Sequence, residues 1–371
     1  MSVILEHVGL KVGADIYIDD VSLAFERGTM NVLLGPTLSG KTTLMRLMAG
    51  LDRPTSGRIL VDGKDVVKVP VRHRSVAMVY QQFVNYPSLT VYENIASPLR
   101  VAGIDKSEIE RRVAEAARVL RLEPYLKRLP AELSGGQQQR TAIARALVKQ
   151  AELVLLDEPL ANLDYKLREE LREELPRLFA ASGAILVYAT TEPSEALLLG
   201  GRTATLWQGR LTQEGPTPLL YRDPDNLDAA RVFSDPPLNE LVVEMQGGRA
   251  TRSDGTPLPP DMVPAMADGS YRIGFRVEST TVVEHDVAAG SAPGTVFTGT
   301  VSVTEISGSE SFVHVDLGFA VWVCLVLGVH DWRPGAAAAV AVDPAGIFVF
   351  TADGSRIASA QAAATPHLVG A

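Results

Sequence analysis

The chain changes its hydrophobic rhythm once, near residue 235. Before that point short apolar runs alternate with stretches of helical spacing, the pattern of a parallel sheet wrapped by helices. Met30–Leu34, Arg58–Val61, Ser75–Tyr80, Leu153–Leu156 and Ile185–Tyr188 are predicted strands. Leu153–Leu156 and Ile185–Tyr188 are apolar without alternation, as strands covered on both faces require. Lys41–Gly50 predicts a helix closed by its glycine. Ser107–Leu122 places Ile109, Val113, Ala116, Val119 and Leu120 on one face among charged positions, which predicts an amphipathic helix.

Beyond Asp235-Pro236-Pro237 the helical period fades. Short alternating runs replace it at Tyr271–Val277, Gly299–Thr304, Ser311–Asp316, Ala320–Leu325, Ala338–Val342 and Ile347–Phe350. Gly and Pro turns separate them, which predicts a small barrel or sandwich. The expected organisation is an α/β domain over 1–235, an all-β domain over 236–360 and an Ala-rich tail over 361–371.

Composition narrows the class. A length of 371 residues suits two domains, and 46% hydrophobic with 21% charged residues is globular. A net charge of −9 lacks the basic face that nucleic acid or anionic lipid requires, so no nucleic-acid partner is expected. The single Cys324 excludes an internal disulfide framework and fits a reducing compartment. The start has neither the basic nor the continuous apolar segment of a signal peptide. No run approaches the ~18 apolar residues that span a bilayer, so contact with a membrane would need a partner.

Three runs carry chemistry. Gly35-Pro36-Thr37-Leu38-Ser39-Gly40-Lys41-Thr42 fits the phosphate-loop pattern and lies between a predicted strand and a predicted helix. Its glycines let backbone N–H groups converge on a phosphate at the positive end of the helix. Lys41 would neutralise phosphate charge and the Thr42 hydroxyl would ligate Mg²⁺ beside ATP. Leu153-Val154-Leu155-Leu156-Asp157-Glu158 is an apolar strand ending in two acids. Asp157 stands where a second Mg²⁺ ligand belongs, and Glu158 where a base would orient or deprotonate water. Alone, two such acids are equally a solvated turn; paired with the phosphate loop they read as catalytic. In Leu133-Ser134-Gly135-Gly136-Gln137-Gln138-Gln139-Arg140, Ser134 is a helix cap followed by glycines that permit close approach to exposed N–H groups.

With that last run the chain resembles the ATP-binding cassette family, whose signature is Leu-Ser-Gly-Gly-Gln. The resemblance implies a mixed-sheet ATPase domain with a helical subdomain at about 82–150. It also implies that Ser134, Gly135, Gly136 and Gln137 bind the γ-phosphate held by a second ATPase subunit. Thr43 belongs to the implied nucleotide site. Gln81 matches the family's glutamine loop, at the metal and the attacking water, and Ala161-Asn162-Leu163-Asp164 its dimer-crossing loop. Arg276-Val277-Glu278, Gly308-Ser309-Glu310 and Asp343-Pro344 with Phe348 and Phe350 resemble the OB-like regulatory barrel of sugar and glycerol-phosphate importers. Implied partners are two transmembrane permeases and, through them, an extracytoplasmic solute-binding protein. The implied location is the cytoplasmic face of the membrane. Within Phe83–Ser97, Tyr86, Leu89 and Val91 read as an exposed groove for a permease helix, or as subdomain packing.

Two positions depart from the family. The family reads Thr-His-Asp where this chain has Thr190-Thr191-Glu192, so Thr191 replaces a phosphate-contacting histidine with a shorter, uncharged donor. The register puts Val12 where an aromatic residue stacks on adenine, while Tyr17 would need a shifted loop to serve. Both departures lie on the phosphate-loop side, so the expected partner is a non-identical ATPase paralogue; a homodimer is the competing expectation. A soluble phosphate-loop ATPase acting on nucleic acid and a nucleotide sensor that barely hydrolyses are the readings from other classes. Acidic charge and the C-terminal barrel oppose the first, and intact Lys41, Asp157 and Glu158 oppose the second.

Overall fold

The structure is a computed structural model that describes residues 2–82, 84–161, 163–181, 183–259, 262–284 and 295–357. Phe83, Asn162 and the expected tail over 361–371 lie outside the described residues. The chain divides into two compact units, Met1–Arg222 and Asp223–Ala371.

The first unit begins with β1 (Ser2–Val12) and β2 (Asp15–Glu26), an antiparallel hairpin, then β3 (Met30–Leu34) and α1 (Lys41–Ala49). β4 (Ser56–Val61), β5 (Lys64–Asp65) and β6 (Val76–Val79) follow. Three helices come next: α2 (Val91–Val101), α3 (Lys106–Val119) and α4 (Gly135–Lys149). Then come β7 (Leu153–Asp157), α5 (Tyr165–Ala181), β8 (Ile185–Thr190), α6 (Pro193–Leu199), β9 (Arg202–Trp207), β10 (Arg210–Pro216) and α7 (Thr217–Arg222).

These strands make two sheets. One is antiparallel, in the order β2-β1-β4-β5; the other runs β10-β9-β3-β8-β7-β6. In the second, β6, β7, β8, β3 and β9 are parallel and β10 closes an antiparallel edge. Both of its faces are covered, which is why β7 and β8 are buried at every position. Leu33, Leu155 and Val187 pack with Leu44, Met45 and Met48 of α1 and with Val21 and Phe25 of the hairpin. Val154, Leu156 and Leu186 pack on the other side with Ile95, Val113, Ile143 and Leu175 from α2 to α5. Each such side chain stabilises by about 1.5–3 kcal/mol when fully buried, so the sheet is a rigid platform.

Strands and helices expected from periodicity occur at their places, α3 included. The hairpin and the β9–β10 edge were not foreseen, although Asp15–Glu26 alternates with the period of 2 that marks a half-buried strand. Val91 corrects the exposed-groove reading: it is fully buried, because it is the first residue of α2 after the Thr90 cap and its side chain joins the core. Tyr86 is exposed as expected. Among the described residues no helix is long and apolar enough to cross a membrane.

The second unit opens with α8 (Leu227–Val232), ahead of the expected boundary at 235. Leu227 and Ala230 of this helix cluster with Leu238, Phe348 and Phe350, so it belongs to the core that follows it. The strands are β11 (Asn239–Gln246), β12 (Arg249–Arg252), β13 (Gly269–Phe275), β14 (Thr280–Glu284) and β15 (Thr295–Ile306). They continue with β16 (Glu310–Asp316), β17 (Val321–Leu327), β18 (Ala337–Val342), β19 (Phe348–Thr351) and β20 (Arg356–Ile357). They form two five-stranded antiparallel sheets, β12-β11-β13-β19-β20 and β14-β18-β15-β16-β17, a barrel-like arrangement of the OB type. Trp322 is its buried centre, edge-on to Phe275, Phe297 and Phe319. Arg276 is buried with its guanidinium 4.9 Å from the Phe348 ring centroid, which joins two of the runs that resembled the importer barrel.

Candidate nucleotide site

The C-terminal ends of four parallel strands converge. β3 leads into the loop 35–40, β7 ends at Asp157, β6 points to Gln81, and β8 ends at Thr190, whose carbonyl accepts a hydrogen bond from the Gly35 N–H at 3.4 Å. The loop needs its glycines. A Cβ on Gly35 would stand 2.4 Å from the Leu206 carbonyl, and Gly40, the residue before α1, has φ 103°. α1 carries no acidic side chain of its own in its first turn, so negative charge at its positive end comes from other elements.

Lys41 is 5% exposed, and its Nζ donates to the Gly35 and Pro36 carbonyls at 2.7 and 3.0 Å. The same Nζ lies 4.0 Å from Glu158. Burial lowers the Lys41 pKa, against the opposing pull of Glu158 and Asp157. Thr42 Oγ1 donates to Asp157 Oδ2 at 2.7 Å. Asp157 is 1% exposed and its other oxygen, Oδ1, has no hydrogen-bond partner among the described residues. Burial raises the Asp157 pKa, with the Thr42 hydrogen bond and Lys41 acting the other way.

Glu158 follows with φ 45°, a left-handed conformation that turns its side chain toward the loop at a cost of order 1–3 kcal/mol. Gln81 Nε2 donates to Glu158 Oε2 at 2.8 Å. Burial raises the Glu158 pKa and Lys41 lowers it; the net movement is upward. A raised, half-buried carboxylate held by an amide is chemically suited to accept a proton from water.

A cavity of about 580 Å³ gathers Lys41, Thr42, Gln81 and Glu158, with Asp157 buried off its wall. Its walls are Thr37, Leu38, Ser39, Gly40, Lys41, Thr42 and Thr43, with Gln81 and Glu158, and on the far side Asp15, Ile16, Tyr17, Gln208 and Gly209. Tyr17, 47% exposed, lines it without any shift of the loop, whereas Val12 at the hairpin end does not. The β1–β2 register is irregular between Leu5 and Val8, Val8 and Leu10, and Leu10 and Lys11. Thr191 is also off the cavity wall. Gly35 and Pro36 stand behind it and serve Lys41 through their carbonyls. Sequence reasoning missed Asp15, Ile16, Gln208 and Gly209. The Gln208-Gly209 turn was a detectable signal, and it docks on the loop through Gly209 N–H to the Ser39 carbonyl at 3.0 Å.

Ser134–Gln137 lie elsewhere, at the start of α4. Ser134 caps the helix, accepting from Gln137 N–H at 3.4 Å, while Gln137 Oε1 accepts from Ser134 N–H at 3.0 Å. Buried Gln139 donates to the Pro159 carbonyl, tying α4 to the turn after Glu158.

A protein-family model described as ABC transporter matches residues 18–161. The sn-glycerol-3-phosphate import ATP-binding protein of Rhizobium johnstonii is 36% identical over 91% of this chain and 90% of its own length. The trehalose/maltose import ATP-binding protein of Thermococcus litoralis is 35% identical over 89% of this chain and 92% of its own. A solved dimeric ATP-binding cassette in a post-hydrolysis state with ADP and Pi is 30% identical with a TM-score of 0.54, covering 58% of this chain and 98% of that chain.

Proposed function

The chain belongs to the ABC transporter family, whose import subunits are ATP-hydrolysing transport enzymes, and we propose that it powers uptake of a carbohydrate-like solute: a sugar, a polyol such as glycerol, or a glycerol-phosphate. The observation that carries the solute class is the reach of the resemblance. The glycerol-3-phosphate relative matches through the C-terminal barrel, not only through the ATPase unit. The chain would act at the cytoplasmic face of a membrane, bound to two permeases that receive solute from an extracytoplasmic binding protein. Purification of the tagged chain from its native membranes tests this. Two co-purifying permeases and ATP-dependent uptake of such a solute support the reading, and a chain without permeases overturns it.

The residues present fit Mg²⁺: Thr42 and Asp157 would hold it, since Asp157 Oδ1 is buried with its bonding capacity unused. Bound there, the metal would neutralise charge between the β- and γ-phosphates. Lys41 would exchange its two loop carbonyls for phosphate oxygens. Glu158, aimed by Gln81, would accept the proton of the attacking water. Ser134–Gln137 of a second ATPase subunit would complete the site.

That second subunit is, in our proposal, a non-identical paralogue. Thr191 is the support for this, because it leaves the phosphate-loop side without the histidine while Ser134–Gln137 stay intact. ATPase of the chain alone and mixed with the paralogue encoded nearby is the test. Mixing is expected to raise turnover, and Thr191→His to raise that of this chain's own site. Full turnover by the homodimer, unchanged in Thr191→His, overturns the pairing.

A further inference from the structure

We propose that Arg168 is a positioning residue for hydrolysis: its guanidinium ties the turn after Glu158 to the loop that carries Thr191. The proposal rests on the reading of this site as an ATPase. Arg168 projects from the first turn of α5, where its N–H donates to the Asp164 carbonyl at 2.9 Å. One arm, Nη1, reaches Glu192 Oε1 at 3.2 Å and Oε2 at 3.5 Å. The other, Nη2, donates to the Ala161 carbonyl at 3.2 Å. Ala161 is itself bonded back to Glu158, its N–H donating to the Glu158 carbonyl at 3.4 Å. A single planar fork therefore holds both loops, a geometry that lysine cannot copy.

The loop at 191 is fixed from both flanks. Glu192 N–H donates to Thr190 Oγ1 at 3.0 Å, and Thr190 Oγ1 donates to buried Glu195 at 2.5 Å. Glu195 also accepts from Tyr188 at 2.6 Å. Thr190 is thus held from within and Glu192 from α5, with Thr191 between them. Thr191 stands off the cavity wall, and a threonine has one short rotor and no ring with which to reach, so its hydroxyl would meet a phosphate only if the backbone brought it there. The Arg168–Glu192 pair is 25% and 42% exposed, a setting in which ion pairs add little to stability. Placement of a reacting group, by contrast, acts strongly on rate.

The test is single-turnover ATP hydrolysis by the full chain in its membrane complex, with ATP affinity and melting temperature measured alongside. Arg168→Ala is expected to lower kcat by about ten- to a hundredfold. ATP affinity should stay within about twofold and the melting temperature within about 2 °C. Arg168→Lys and Glu192→Gln should lose less than Arg168→Ala. In a Thr191→His background, where a longer side chain reaches by itself, the loss should shrink to a few-fold. Equal losses in the two backgrounds, or a loss of ATP affinity matching that of kcat, overturn the proposal. Absence of hydrolysis in the unaltered complex would instead overturn the parent reading.

Discussion

The phosphate loop and the start of α4 are both glycine-bearing helix entries in one unit, and they are built in opposite ways. The loop at 35–42 concentrates buried charge: Lys41, Asp157 and Glu158 all have pKa values displaced by burial. It also holds Leu38, 95% exposed at φ 68°, and Glu158 at φ 45°, conformations that non-glycine residues adopt at a cost. The entry at 134–137 is relaxed. Its cap is reciprocal, and its first residues are open to solvent. The first region stores buried charge and an unpartnered carboxylate oxygen; the second is finished as a surface. Half of a nucleotide site and the complement of another half would look like this.

Replacing Lys41 should break the comparison most severely. Lys41→Ala removes the charged donor, and ATP binding is expected to weaken by about 2–3 kcal/mol, roughly thirty- to a hundred-and-fiftyfold in Kd. Calorimetric titration of the full chain checks it; unchanged affinity would mean that the loop's buried charge has another purpose. Ser134→Ala separates the two regions. Loss of the cap should cost about 1 kcal/mol of stability, read as a lower melting temperature. Turnover of the assembled transporter should fall while ATP affinity of this chain's own loop stays unchanged. If loop affinity falls as well, the two regions are not independent.

The smallest effect is a pH dependence confined to the loop side. Burial raises the Asp157 pKa in the folded chain above its unfolded value, so its ionised form opposes folding at neutral pH. Protonation relieves this as pH falls through the folded value. Asp157→Asn has no charge to bury, so the ligand-free variant should melt higher than the parent at pH 7. That gain should shrink in acid and vanish below the ordinary carboxylate range. Melting curves across pH test it, and a gain independent of pH would remove burial of charge as its cause.

Much of the site was legible because its motifs are short and local. A strand apolar on both faces, then glycines, then a lysine at a helix start is a pattern whose physics acts within ten residues, and Met30–Leu34 occurs at its predicted limits. The same holds for the Ser134 cap, whose partner is three residues away. Failures came where sequence neighbours do not decide. Val91 reads as exposed by its polar surroundings, yet the rotation of α2 places it in the core. Counting along the chain does not show whether Val12 or Tyr17 stands at the loop, and the fold puts Tyr17 on the cavity wall. A proline pair at 236–237 marks the composition shift, while Leu227 and Ala230 of α8, before it, cluster with Leu238, Phe348 and Phe350.

The sequence by itself determined the chemistry available to this protein: a phosphate loop, two acids after a buried strand, a capped helix entry, and a threonine where relatives of this type would be expected to carry histidine. Those assignments need only residue type and spacing, because backbone hydrogen bonding and side-chain chemistry act locally. Tertiary structure alone decided that Gln81 meets Glu158 from 77 positions away and that Thr42 meets Asp157 from 115. It also decided that one arginine holds both Ala161 and Glu192. Such contacts follow from the order of strands in the parallel sheet, which is set by burial on both of its faces and not by any run of neighbouring residues.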